Sequence, residues 1–373
     1  MSLTTLNPPT PMATVALQRY FRETLSAIGH GFRTHRILYA IAFGTYALGI
    51  LECLWLGIPV NFNLVAVISG TTGLFLSLTI AIWLISRFIK LWWSGYKGSP
   101  ARALAKTLGE DIMPPGRVSN TVHAILVNGI FFIGFLAIKK SIPVVNGSFA
   151  WDQSFMELDR ALHFGTLPHE WLQPVFGSQL GLFLININYN LWFVVLLGCY
   201  FWFGFARQDS FLRQRYLTAY LMAWFLGTCV LGTLLSSAGP CFYGFVAEGS
   251  NPYAALMANL RAANEVYPIW AVPTQDTLWQ TYLAGHGDVE GVSAMPSLHV
   301  GSSVLFVCLA FGWGKRWFIC FTIPFATAIF LGSIVLGWHY AVDGYLGGLV
   351  AWFSWWLAGK LHAPLGVRKE PRP

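Results

Sequence analysis

Two histidines sit where apolar runs meet their flanks, among residues suited to handling phosphate. In "SAMPSLH", residues 293–299, a proline, two serines and a histidine crowd the mouth of an apolar stretch beginning near Leu298. In "GWHYAVDG", residues 337–344, His339 is followed four positions later by Asp343. Positions i and i+4 share one face of a continuing helix. A carboxylate there holds one imidazole nitrogen, fixes the tautomer and makes the other nitrogen a base or nucleophile. Pro296 suits the first turn of a helix, where its missing N–H costs nothing. With Ser293 or a neighbour as cap, the free amides of that turn, the Ser297 hydroxyl and His299 would cradle an anion.

Other chemistries use the same residue types. A histidine at the end of a span is often a solvated interfacial group. Two histidines on neighbouring helices can ligate haem, although haem explains neither the Pro-Ser-x-His turn nor Asp343. Zinc would need a third ligand, for which His286, Asp288 and Glu290 are close in sequence.

The elements that position these residues are membrane helices. The chain of 373 residues is 55% hydrophobic and only 10% charged, with mean hydropathy +0.55. A soluble chain would carry about a quarter charged residues. Apolar runs predict an all-α polytopic membrane protein of about eight spans, near 37–57, 64–86, 121–138, 181–205, 217–236, 298–314, 318–338 and 343–360. Taking both termini as cytoplasmic puts 19 of the 23 Lys and Arg residues on the inner side. Only Lys139, Lys140, Arg160 and Arg261 then face outward, which is the expected basic asymmetry. It places His299 and His339 at the same outer, periplasmic or lumenal, surface. The net charge of +7 marks sidedness and not nucleic-acid binding, because the basic residues are spread over membrane flanks.

Along the chain, 1–36 reads as an amphipathic cytoplasmic segment and 37–120 as a two-helix unit with a basic loop. Residues 121–174 hold the third span and an outer interfacial segment with helical spacing at Phe155, Leu158 and Leu162, anchored by Trp151 and Trp171. Arg160 in that segment is expected to pair with a carboxylate. Residues 175–362 form the membrane core, and 363–373 a basic tail. Trp93, Trp317, Trp338 and Trp355 fall near span boundaries, as an aromatic belt would. The outer segment 237–297 is long enough to be a lid. "NINYN", with Asn186, Asn188 and Asn190, reads either as interhelical hydrogen bonding or as the polar mid-span group of a transporter.

"SAMPSLH", with "HYAVD" forty residues on, resembles the type-2 phosphatidic acid phosphatase superfamily, whose patterns are PSGH and SRxxxxxHxxxD. "SSAGPCFYG", 236–244, is similar to the first motif of the branch that includes inositol phosphorylceramide synthases, as is AMPSLH. The resemblance covers roughly 175–360. The basic motif KxxxxxxRP is absent, and Gly332 and Ser333 replace the Ser-Arg pair. The lost Lys and Arg grip phosphate oxygens in the wider family, which favours the synthase-like branch. The resemblance implies a phosphohistidine route: His339 attacks phosphorus, Asp343 orients it, and His299 moves the proton. It implies no cofactor and no metal, with membrane lipids as donor and acceptor. Substrate contacts are expected from Pro296, Ser297, Ser333, Gly239 and Pro240, with Arg261 of the long outer segment as a clamp. Lys139 and Lys140 are read as anchors of the third span. Hydrolysis of an isoprenoid or glycerolipid phosphate is the neighbouring alternative, and a transporter or haem bundle the distant one.

Overall fold

The computed structural model describes residues 11–60, 73, 77, 80, 81, 83–284 and 291–363. Its regular structure is all helical: α1 Pro11–Thr34, α2 Arg36–Leu56, α3 Pro100–Asp111, α4 Pro115–Asn146, α5 Asp152–Leu162, α6 Pro168–Phe176, α7 Gln179–Gly204 and α8 Phe211–Trp224. Helix α8 runs on as a π-helical stretch over Phe225–Gly232. After short turns come α9 Ala254–Asn264, α10 Ala271–Ala284, α11 Leu298–Trp313, α12 Arg316–Val335 and α13 Ala341–His362.

Four described helices, α2, α4, α7 and α12, are long and apolar enough to cross a membrane, and α11 is a shorter apolar helix of 16 residues. The chain is a multi-pass integral membrane protein. Most of the expected span 64–86 lies outside the described residues, as do the proposed zinc ligands His286, Asp288 and Glu290.

Helices α7, α8, α11, α12 and α13 pack into one bundle, and α2 with α4 forms a pair along its side, covered by α1. Small residues set the closest approaches, as expected where helices meet without water to drive them. A Cβ on Gly301 would stand 3.0 Å from the Gly347 carbonyl, and one on Gly347 would overlap the Ser297 carbonyl. Helix α13 therefore lies directly against the first turn of α11.

Several local expectations are corrected. In α5 the inward face carries Phe155 and Met156 together with Asp152 and Asp159, while Leu158 and Leu162 point outward. Arg160 makes no ion pair among the described residues. Trp355 is no belt residue: it is buried, with the Arg215 guanidinium 4.1 Å from its ring centre. Asn186 is fully buried and ties α7 to the turn before α10, donating to the Pro268 carbonyl and accepting from the Ala271 amide, each at 3.3 Å. Asn190 Nδ2 donates within the helix to the Asn186 carbonyl at 2.8 Å, and Asn188 Nδ2 is buried with no partner among the described residues, so the hydrogen bonding between segments falls to Asn186 alone.

Candidate active site

Helix α11 begins at Leu298, with Ser297 as its N-cap accepting from the Val300 amide at 3.4 Å. Pro296 thus stands one residue before the cap, not in the first turn, and Ser297, not Ser293, does the capping. The Ser297 amide donates to the Asp343 carbonyl at 3.0 Å. Of the proposed anion cradle, the Ser297 amide is therefore committed to the fold.

His299 follows in the first turn of α11. Its ring stacks on Tyr189 at 4.6 Å between centres and against Trp192 at 4.1 Å. Its carbonyl accepts from Trp192 Nε1 at 3.1 Å and from Ser303 Oγ at 2.8 Å. Two aromatic faces and two backbone contacts leave the imidazole little freedom to turn. The buried Tyr189 hydroxyl has no hydrogen-bond partner among the described residues.

His339 lies before α13, which starts at Ala341, so the i, i+4 pair is not made on a continuous helix. It is made by the capping turn. Tyr340 is the N-cap, and Asp343 Oδ2 accepts both from the Tyr340 amide at 3.0 Å and from His339 Nδ1 at 3.2 Å. Asp343 is fully buried and His339 nearly so. With the carboxylate on Nδ1–H, the Nε2 lone pair is free. The ring centres of His299 and His339 are 6.2 Å apart. The two rings are tilted at 55° to one another.

Ser333 and the 239–240 turn stand behind His339. The Ser333 hydroxyl donates to the Phe330 carbonyl at 2.7 Å, and its own carbonyl accepts from the Trp338 and His339 amides, each at 3.0 Å. Gly239, at φ +98°, lies so close that a Cβ would stand 2.7 Å from the Trp338 carbonyl. After Pro240, the Cys241 amide donates to the Gly337 carbonyl at 2.8 Å. These residues brace the turn that carries the histidine.

Sequence reasoning missed the two aspartates of α5. Asp152 accepts from Ser237 Oγ at 3.0 Å, the Ala238 and Gly239 amides at 2.8 Å each, and Tyr340 Oη at 2.7 Å. Asp159 accepts from the Ala341 and Val342 amides at 2.8 and 2.9 Å, in the first turn of α13. Burial pushes both carboxyls above the usual carboxylate range, while these donors pull them back. The signal that could have found them is the seven-residue spacing, two helical turns on one face. Between them the carboxylates fasten the 237–239 turn and the start of α13 to α5.

Arg261 is engaged elsewhere. It holds Asp276 through both terminal nitrogens, at 3.0 and 2.7 Å, tying α9 to α10 with each side chain about half exposed. The buried Gln275 beside Asp276 donates to the Leu336 carbonyl at 2.9 Å, so α10 covers the turn before His339.

The model for the PAP2 superfamily matches residues 153–357, more than half of the chain. The chain belongs to the PAP2 superfamily. The match begins at the second residue of α5, just after Asp152, takes in α6, both before the expected start of the membrane core at 175, and holds His299, His339 and Asp343. A search of the curated proteins gave no match, and neither did one of the solved structures.

Proposed function

We propose that this PAP2-superfamily chain is a membrane phosphotransferase, moving a phospho-head group from a lipid donor to a lipid or sugar hydroxyl at the outer or lumenal surface. The observation that carries this reading is the arrangement of His299, His339 and Asp343: a buried carboxylate on Nδ1 of one imidazole, with the ring centre of a second imidazole, itself stacked on Tyr189, 6.2 Å away. His339 Nε2 attacks phosphorus, and the bond from phosphorus to the leaving oxygen breaks as His299 gives that oxygen its proton. His299 then takes the proton of the acceptor hydroxyl, whose oxygen displaces His339 and restores both imidazoles. Asp343 stabilises the positive charge that His339 carries between the two steps. We place both termini on the cytoplasmic side with eight spans, which puts the site outside.

The absence of KxxxxxxRP and of the Ser-Arg pair favours the inositol phosphorylceramide synthase-like branch over plain phosphatidic acid hydrolysis. With water as acceptor the same steps give a lipid phosphatase. The test is a mass-spectrometric comparison of lipid extracts from cells with and without the chain, together with radiolabelled donor lipids and purified protein. An acid-labile, base-stable phosphoryl adduct on His339 is the expected intermediate. Turnover in His339→Ala comparable to the wild type would overturn the mechanism.

A further inference from the structure

Phosphoryl transfer needs fixed positive charge or donors around the equatorial oxygens. The groups first considered for that task are occupied: the Ser297 amide by Asp343, the Gly239 amide by Asp152, and Arg261 by Asp276. The Ser333 hydroxyl is taken by the Phe330 carbonyl. One donor on α7 is not. Tyr189 is only 5% exposed, and its hydroxyl has no hydrogen-bond partner among the described residues. Its ring touches both halves of the site. One face stacks on the His299 imidazole, with ring centres 4.6 Å apart and planes 19° from parallel. One edge reaches the end of α12, where a Cβ on Gly332 would stand 3.3 Å from Tyr189 Cδ2. The next residue, Ser333, holds the His339 amide on its carbonyl at 3.0 Å. Burying a hydroxyl without a partner destabilises a fold. Packing does not explain the oxygen, because a phenylalanine would stack on His299 and leave nothing unpaired. Groups that weaken the fold in this way are expected where a ligand completes them. The unpaired Oδ1 of Asp343 is a carboxylate acceptor and repels a phosphoryl oxygen, whereas a phenol O–H donates to one.

We propose that Tyr189 is a substrate-binding residue of this site, its hydroxyl donating a hydrogen bond to a non-bridging phosphoryl oxygen of the lipid phosphoester beside His299. This rests on the phosphotransfer reading of the site. The ligand chemistry is a phosphoryl group, tetrahedral in the substrate and trigonal-bipyramidal at the transition state. A neutral donor from α7 thereby takes over part of the grip that the missing Lys and Arg of the family motifs supply elsewhere.

The probe is orthovanadate, titrated calorimetrically into the full-length protein in nanodiscs, with lipid turnover and thermal melts of the unliganded protein measured in parallel. Tyr189→Phe removes one oxygen and keeps the stack on His299. It should weaken vanadate binding about 10-fold or more, the size of one hydrogen bond to a charged acceptor, and lower turnover with it. Without ligand it should melt at or above the wild-type temperature, because the unpaired hydroxyl is gone. Weaker binding with an undiminished melting temperature is a combination that a merely structural hydroxyl would not give. An unchanged vanadate constant in Tyr189→Phe overturns the proposal and leaves the phosphotransfer reading standing. Lost binding in a Tyr189→Phe protein that melts well below the wild type, or does not fold, also overturns it, since the hydroxyl then serves the fold. A wild type indifferent to millimolar vanadate, with turnover confirmed, counts against the phosphohistidine reading itself and takes the proposal with it.

Discussion

Asp343 uses one oxygen for two tasks. Oδ2 receives the Tyr340 amide that starts α13 and the Nδ1–H of His339, while Oδ1 is buried with no partner among the described residues. An asparagine can present its carbonyl oxygen in place of Oδ2 and keep both contacts, so Asp343→Asn separates charge from geometry. On the proposed route it should melt close to the wild type yet lose about 10²–10⁴-fold in turnover, because the phosphohistidine cation of that route would lose its counter-charge. Asp343→Ala should lose as much activity and also about 1–3 kcal/mol of stability, through the orphaned Tyr340 amide. Thermal melts beside kinetic assays check both. A His339→Ala protein that folds but keeps more than a thousandth of wild-type turnover would remove the nucleophile from His339. At this scale the His339–Asp343 contact was legible because it is local: four residues of separation fix a contact almost regardless of the surroundings, whereas the approach of His299, forty residues away, is made by the packing of α11. The capping turn that makes the contact was not legible, since helical spacing and a capped entry give the same letters.

Helix α5 shows where sequence patterning runs out. Its spacing at Phe155, Leu158 and Leu162 suggested an interfacial helix; in the fold Phe155 is buried together with Asp152 and Asp159, while Leu158 and Leu162 are exposed. Periodicity assigns carboxylates to the solvent side. The assignment reverses here because six donors from elsewhere in the chain converge on these two side chains, among them four backbone amides of turns that would otherwise be buried without partners. Distant partners of this kind leave no mark in a window of neighbouring residues. Asp159→Asn keeps one acceptor and turns an amide group toward the other N–H of α13. It should cost about 2–4 kcal/mol in a thermal melt and lower turnover without touching the reacting atoms, since α13 carries Asp343. Leu158→Ala, on the outward face of the same helix, should stay within about 0.5 kcal/mol of the wild type. Equal melting shifts in the two variants would mean that α5 acts by its bulk and not as a carboxylate clamp.

The molecule is closed at its other end by a second polar cluster. Helix α13 runs from the candidate site to His362, whose Nε2 meets Thr218 Oγ1 of α8 at 2.8 Å, and the start of α8 carries the fully buried Arg213. That guanidinium donates to the Phe203 and Gly204 carbonyls at 2.8 and 3.1 Å, to Asp209 at 2.9 Å, and to His35 Nε2 at 2.7 Å, between α1 and α2. The His35 Nδ1–H donates back to the Gly31 carbonyl at 2.7 Å, so the neutral ring is satisfied on both sides. A protonated ring would set two cations face to face. Burial first, and the Arg213 charge second, hold His35 down from 6.5 to about 3. The unfolded chain therefore binds a proton near pH 6.5 that the folded chain refuses until about pH 3. Stability from this group is complete above pH 6.5 and falls as the pH drops through that window. Between pH 6.5 and pH 5 the loss amounts to about 2 kcal/mol. The docking of α1 and α2 onto the bundle should weaken accordingly, seen as a lower melting temperature and faster amide exchange in residues 31–39. His35→Gln can still accept from Arg213 and should flatten this profile. His123, stacked at 4.8 Å, and His362 titrate in the same neighbourhood, so the quantity to compare is the difference between wild type and His35→Gln across pH 7 to 5. Parallel profiles would show that His35 does not carry the acid sensitivity and that the N-terminal helices are held by packing alone.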